Sequence, residues 1–354
     1  MKNKVIYLLL LAFITISLAG CNDSKSRTIV SDKKNIDIST GLEKDIDDYC
    51  KDHNFRGSML IVDNGKTLIK KGYGMADYNK AIPNKPNTIF RLGSITKQFT
   101  ATCILMLQER GLLNVTDPIS KYIPDYPNGN KITLHNLLTH SSGIAEHTTP
   151  DFFSHADHYY SPIDIINLFK DKPTEFEPGA EFKYSNSNYI LLGYVIEKVS
   201  NEKYESFVNK NIFIPLGMKC SGYDHNETTP DKAVGYDYIE KNLIQEAQYI
   251  DMSTPYSAGA LQTNVEDLYK WDQALYTEKL LKKDTITKMF TPYKSNYAYG
   301  WMVNSANTME HGGGVNGFRT YIYRDTEKKR FIAILSNCTE ANVAGLKNEI
   351  VSLF

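Results

Sequence analysis

The sequence predicts an α+β fold: an antiparallel sheet built from both termini and flanked by helices, with a mainly helical domain inserted between its halves. Three observations predict it. Runs rich in β-branched and aromatic residues stand near the start (57–62 and 67–74) and near the end (299–303, 318–324 and 330–336). Turn signals sit inside both groups, Asp63-Asn64-Gly65-Lys66 in the first and residues 325–329 in the second. Between the groups, helical spacing dominates. The sheet region is therefore read as about 41–90 together with 295–354, and the helical region as about 91–294.

Taken in order, the chain begins with Lys2 and Lys4 ahead of an almost unbroken apolar run, residues 5–18. A positive start before a short apolar stretch is the layout of an export signal, and the run is short for a membrane span of about 20 residues. It ends Leu18-Ala19-Gly20-Cys21, a tetrad that resembles the lipobox of bacterial lipoproteins. The resemblance implies cleavage after residue 20, lipidation of Cys21, and an exported protein anchored to the outer face of the cell membrane. Residues 21–40, rich in Lys, Asn, Asp and Ser, read as a flexible tether. The body is then 41–354.

A helix is expected over 42–52, where Leu42, Ile46, Tyr49 and Cys50 share a face. The hairpin 57–74 follows, its Asn64-Gly65 tolerating positive φ. A longer helix is expected over 94–110, stopped by Gly111. Further helices fit 133–138, 162–169, 188–199 and 204–212, and Asn264 is placed to cap one over 265–275. After the C-terminal strands, an amphipathic helix is expected over 341–354.

Composition excludes several function classes. Among 354 residues, Lys plus Arg number 40 and Asp plus Glu 41, without the basic excess of a nucleic-acid binder. The hydrophobic content of 42% supports a sizeable core. Five cysteines are too few for a disulfide scaffold, and Cys50, Cys103, Cys220 and Cys338 are scattered, which leaves their pairing open. No phosphate-binding glycine loop occurs.

Three short motifs carry chemistry. The first is Ser94-Ile95-Thr96-Lys97. Ser-x-x-Lys also occurs at Ser31–Lys34 and Ser200–Lys203, but only Ser94 opens a strongly apolar helix. Residues i and i+3 share a helix face, so Lys97 lies beside the Ser94 hydroxyl. Burial disfavours an ammonium, and a partly neutral lysine can take the hydroxyl proton. A helix cap followed by an extended lysine is the plainer alternative. The second motif is Tyr184-Ser185-Asn186. A phenol is a weak base at its ordinary pKa of about 10, and positive charge from Lys97 is expected to favour the phenolate. Asn186 offers a donor and an acceptor to an amide-like substrate. The third is His311-Gly312-Gly313-Gly314, read as a glycine-rich stretch ahead of a strand, where the backbone admits close approach of a ligand.

The order and spacing of these motifs resemble the penicillin-recognising serine hydrolases: class C β-lactamases, D,D-carboxypeptidases, D-aminopeptidases and related esterases. Leu137-Leu138-Thr139-His140-Ser141-Ser142-Gly143, Pro215-Leu216-Gly217-Met218 and Ala258-Gly259-Ala260-Leu261 extend the resemblance over roughly 42–350. It implies a β-lactamase/transpeptidase-like fold. It implies Ser94 as an acylated nucleophile and Lys97 and Tyr184 as the base and acid, with their division of labour open. It implies Asn186, His311, Gly313 and Gly314 at the substrate, with the Ser94 and Gly314 N–H groups as oxyanion donors.

The expected activity is that of a serine hydrolase, a D-alanyl peptidase or esterase of the cell envelope. Alternatives are a general carboxylesterase, a weak β-lactamase, or a penicillin-binding sensor without turnover. Expected partners are a small peptide or ester, with peptidoglycan or teichoic acid D-alanyl groups as candidates, and the membrane through the anchor; nucleic acid is not. Two departures from the pattern weaken the expectation of β-lactamase activity: His311 stands where most β-lactamases have Lys, and Gly312 where many relatives have Thr. Five of the eight histidines fall between 135 and 158, but H-E-x-x-H is absent, and neither a metal nor any other cofactor is expected.

Overall fold

The computed structural model describes residues 38–240 and 243–354. The expected signal, Cys21 and nearly all of the expected tether lie outside the described residues. The chain enters through helix α1 (Ile38–Asp52) and the hairpin β1 (Gly57–Asp63) and β2 (Lys66–Tyr73). Asn64 and Gly65 take φ of 49° and 75° at its turn, which is why that pair tightens the hairpin. Two long helices of the middle matter most for the site, α2 (Thr96–Glu109) and α3 (Asn186–Ser200). The C-terminal part returns as β3 (Met302–Val303), β4 (Thr308–Val315), β5 (Phe318–Asp325), β6 (Arg330–Ser336) and α4 (Val343–Ser352).

These strands form one antiparallel sheet in the order β3-β4-β5-β6-β1-β2. Its seam joins the two ends of the chain: β1 pairs with β6 from Gly57 opposite Ser336 to Val62 opposite Phe331. The alternation of side chains explains what covers each face. Met59, Ile61, Ile332 and Ile334 pack on Leu42 and Ile46 of α1 and on Leu346 and Ile350 of α4. Leu60, Val62, Ala333 and Leu335 face the other way, into the core that holds Phe99, Ile104 and Trp271. Each fully buried Val, Leu, Ile, Met or Phe side chain among them contributes about 1.5–3 kcal/mol. A one-residue slip of β1 would exchange its two faces, so two-sided burial fixes the register.

The structure departs from the sequence expectation in several places. The strand expected over 299–303 shrinks to β3, because Gly300 turns the chain with φ 77° and lies flush on α2, where a Cβ would come 2.8 Å from the Lys97 carbonyl oxygen. The glycine triplet precedes strand β5 as expected, but it is itself strand, inside β4. Glycine has little strand propensity of its own, and the ladder to β5, from Thr308 opposite Asp325 to Val315 opposite Phe318, imposes the extended form. The helix expected from Ser94 begins as a 3₁₀ turn, Gly93–Ile95, before α2 proper. Within the helical region stand a small sheet of Phe90–Arg91, Leu261–Thr263 and Gly222–Tyr223, and a hairpin of Tyr236–Glu240 with Leu243–Glu246. Cys50, Cys103, Cys220 and Cys338 are free thiols, and all but Cys220 are buried.

Candidate active site

The Ser94 turn is shaped by Gly93, whose φ of 54° and missing side chain let it lie against β4: a Cβ there would fall 2.5 Å from the Gly314 nitrogen. Ser94 is partly exposed, and three residues on, Lys97 is fully buried. Lys97 Nζ meets three partners: Ser94 Oγ at 3.0 Å, Asn186 Oδ1 at 2.8 Å and the Ala258 carbonyl at 2.9 Å. Two of them can only accept, so they take two N–H bonds of the amine. The third position points at Ser94. It holds the extra proton when Lys97 is charged and the lone pair when it is neutral. Among the described residues no carboxylate touches the amine, and burial lowers its pKa to about 7 against a smaller opposing pull from Glu146.

Tyr184 and Ser185 lead directly into α3, of which Asn186 is the first residue. The Tyr184 ring lies with its centroid 4.9 Å from Lys97 Nζ and 4.2 Å from the His140 ring. Its hydroxyl is buried without a completed hydrogen bond, yet Ser94 is near enough to pull its pKa downward. Burial outweighs that pull and raises the phenol above its ordinary value, with the Glu146 charge adding to the rise. The phenolate expected from the sequence is therefore not favoured, and Tyr184 holds its proton. The reason is geometric: Lys97 faces the ring, and the hydroxyl is desolvated. His140 supports this end of the site by accepting the Ser185 N–H on Nδ1 at 3.2 Å, and burial keeps its ring neutral.

β4 forms the opposite wall. A Cβ on Gly313 would meet the Leu92 carbonyl oxygen at 2.0 Å and lie 3.1 Å from the Ser94 nitrogen, so only glycine lets the strand and the Ser94 turn touch. Residues 311–315 run past the short β3, which pairs only with Met309 and Glu310. His311 is buried, and burial lowers its pKa to about 4. Its Nδ1 lies 2.6 Å from the Gly312 carbonyl and must donate there, which leaves Nε2 to accept from the Tyr297 hydroxyl at 3.0 Å. The ring thus lines the site as a neutral group with both nitrogens engaged, in place of a lysine charge.

Two residues that the sequence reading did not single out belong to this neighbourhood. Glu146 accepts the Asn186 N–H on Oε2 and the Thr148 N–H and hydroxyl on Oε1, both at 2.8 Å. Arg319, opposite Gly314 across the β4–β5 ladder, extends over that glycine, and a Cβ on Gly314 would lie 2.8 Å from its Nη1. Among the described residues Arg319 donates to the Phe318 carbonyl and forms no ion pair, and partial burial lowers its pKa against a smaller opposing pull from Glu340 and Asp237. Local spacing gave no signal for Glu146; Arg319 had one, its place just after the glycine triplet. Of the five clustered histidines, His135 bonds Tyr299, His140 and His147 are buried, and His155 and His158 are exposed. Among the described residues no group of three or more His, Cys, Asp or Glu side chains is placed to hold a metal.

A serine hydroxyl beside a buried, carboxylate-free lysine, faced by a tyrosine and a glycine strand, on a sheet made from both chain ends, defines a serine hydrolase. Comparison with known proteins agrees. The chain belongs to the Beta-lactamase family, whose sequence profile matches residues 42–352. It is 37% identical over 312 residues to the penicillin-binding-protein homologue PbpX of Bacillus subtilis (strain 168), spanning 87% of this chain and 77% of that one. A penicillin-binding protein from Bacillus halodurans superposes with a TM-score of 0.80 at 26% identity, over 87% of this chain and 99% of the other. D-amino acid amidase from Ochrobactrum anthropi SV3 superposes with a TM-score of 0.78 at 22% identity, over 90% of this chain and 98% of its own, a likeness of fold alone.

Proposed function

We propose that the protein hydrolyses D-alanyl peptides or D-alanyl esters of the cell envelope through an acyl-enzyme on Ser94. The observation that carries this reading is the Lys97 amine, 3.0 Å from Ser94 Oγ with its other two partners able only to accept. At neutral pH a large share of Lys97 is uncharged, and its lone pair takes the Ser94 proton as Oγ attacks the substrate carbonyl. The oxyanion lies between the N–H groups of Ser94 and Gly314. Tyr184, which keeps its proton, gives it to the departing amine or alkoxide as the C–N or C–O bond breaks, and Lys97 returns one to Tyr184. Water then enters by the reverse path and frees Ser94. Asn186 Oδ1 holds the amine, which leaves one N–H of its amide for the substrate beside the one directed at Thr148.

Arg319 favours envelope substrates over neutral short-chain esters. A cation beside Gly314 with no ion pair among the described residues matches negative charge close to the scissile bond. A D-Ala-D-Ala peptide carries that charge as its terminal carboxylate, and a D-alanyl ester of a polyol-phosphate polymer carries it as phosphate. Lipidation at Cys21 would hold the site on the membrane face where such substrates lie. With Gly312 lacking a hydroxyl and His311 neutral, β-lactam turnover is expected to be slow.

The test is a panel of D-Ala-D-Ala peptides, D-alanyl esters, p-nitrophenyl esters and nitrocefin, with Ser94→Ala as the blank. Steady product from D-alanyl substrates, absent in the blank, supports the reading. Rapid nitrocefin turnover, a stable Ser94 adduct without release, or activity surviving in the blank would overturn it.

A further inference from the structure

We propose that Glu146 is a positioning residue of this site: its carboxylate clamps the start of α3, and so fixes the Asn186 amide that Lys97 must meet. The inference rests on the reading of Ser94 and Lys97 given above. The connection is short and continuous. Glu146 Oε2 accepts the backbone N–H of Asn186 at the first turn of the helix, where a carboxylate is also favoured by the helix dipole. Glu146 Oε1 accepts from Thr148 twice, and the Thr148 hydroxyl lies 3.5 Å from Asn186 Nδ2. Asn186 Oδ1 then accepts from Lys97 Nζ at 2.8 Å. One carboxylate therefore restrains both the main chain and, through Thr148, the side chain of the residue that orients the amine.

The carboxylate is itself held. Its neighbour His147 has Nδ1 2.9 Å from Ser187 Oγ and 3.5 Å from Glu146 Oε1. The Ser187 hydroxyl donates to the Ala145 carbonyl, so His147 Nδ1 is the donor in its own bond and turns a positive edge toward Glu146. Burial keeps His147 neutral, lowering its pKa to about 4, so the negative charge of Glu146 is not cancelled by a formed imidazolium. The charged and titratable groups that act on Glu146 or Lys97 are few. His147, Lys97 and Tyr184 act on or feel Glu146, and Lys172 acts on His147 from outside. Around Lys97 stand Tyr184 and Tyr189 through their ring faces, and the neutral rings of His140 and His311. Among the described residues, Glu146 is thus the anion that raises the Lys97 pKa against burial. Its second effect follows: by opposing burial it stabilises the ammonium formed once Lys97 has taken the Ser94 proton, until that proton passes to Tyr184.

The test compares wild type with Glu146→Gln, Glu146→Ala and Thr148→Val in two readouts: the pH dependence of fluorophosphonate labelling, and the ¹³Cε titration of Lys97. In Glu146→Gln the charge is lost while an acceptor remains. The Lys97 midpoint and the acid limb of labelling should both move to lower pH. In Glu146→Ala the clamp is lost as well, and the plateau rate should fall by up to about 100-fold, the cost of a misplaced reacting group. Thr148→Val should lower the plateau less and leave the midpoint in place. A purely structural role would reduce the yield of folded protein but leave midpoint and plateau unchanged, and that result in Glu146→Ala would overturn the inference. Labelling that persists in Ser94→Ala would overturn the underlying reading instead, while the Lys97 titration would still decide the role of Glu146.

Discussion

Lys97 and Arg324 are the most deeply buried cations among the described residues, and they are treated in opposite ways. Arg324 on β5 pairs its Nε with Asp272 Oδ1 at 2.8 Å, both side chains 1% exposed, and its guanidinium lies over the Tyr276 and Phe290 rings. Lys97 is as deeply buried, but its three partners are a hydroxyl, an amide oxygen and a main-chain carbonyl. A charge matched by an opposite charge is fixed in place. A charge met only by neutral acceptors is held just as firmly in space, but its proton is loose. The first arrangement secures the packing of helix Val265–Ala274 on the sheet, and the second leaves an amine that changes state near neutral pH.

Exchanging the two roles is the strongest way to break this comparison. Lys97→Met should cost on the order of 10²–10⁴ in the rate of Ser94 acylation while the protein stays folded. Arg324→Met should do the reverse. Leaving Asp272 buried and unpaired should cost about 3–5 kcal/mol in urea unfolding, with the activity of the folded fraction nearly unchanged. Replacing both partners, Arg324→Met with Asp272→Leu, should recover most of that loss. If Lys97→Met unfolds the protein and Arg324→Met abolishes acylation instead, the contrast is wrong.

A smaller effect is expected where strand and turn touch. In Gly313→Ala the new methyl meets the Leu92 carbonyl oxygen at 2.0 Å. Overpacking of that kind typically costs about 1–3 kcal/mol, and the displaced strand should lower kcat more than it raises KM. An unchanged kcat would mean that the β4 backbone takes no part in the chemistry. The smallest effect sharpens the view of a third cation, Arg319, which forms no ion pair among the described residues. Arg319→Ala should reduce kcat/KM for a carboxylate-bearing D-Ala-D-Ala peptide by roughly 10-fold, as loss of a charged hydrogen bond does, and spare a neutral p-nitrophenyl ester. Equal losses on both substrates would deny Arg319 a role in recognising charge.

Much of this arrangement is legible in the sequence because it rests on short-range rules. Ser94 and Lys97 share a face by spacing alone, and the apolar helix around them already implies a buried amine. The two-ended sheet is legible because β1 and β6 are continuous apolar runs, as strands buried on both faces must be. The remainder depends on contacts between segments distant in sequence. No local pattern says that His311-Gly312-Gly313-Gly314 is strand, since β5 imposes that state. The protonated Tyr184 could not be read from an adjacent positive charge, because the outcome turns on how deeply the hydroxyl is desolvated. Glu146 meets Asn186 only through the path of the loop after Gly143, and no spacing rule joins residues 146 and 186.

The central claim is tested most directly by titrating one amine. With ¹³Cε-labelled lysine, the Lys97 resonance is identified by its absence in Lys97→Met and followed against pH. The account predicts a midpoint of about 7, with acylation of Ser94 falling as pH drops through the same value, because the protonated amine has no lone pair to offer. A midpoint near the ordinary lysine value of about 10.4, with acylation flat across neutral pH, would contradict it.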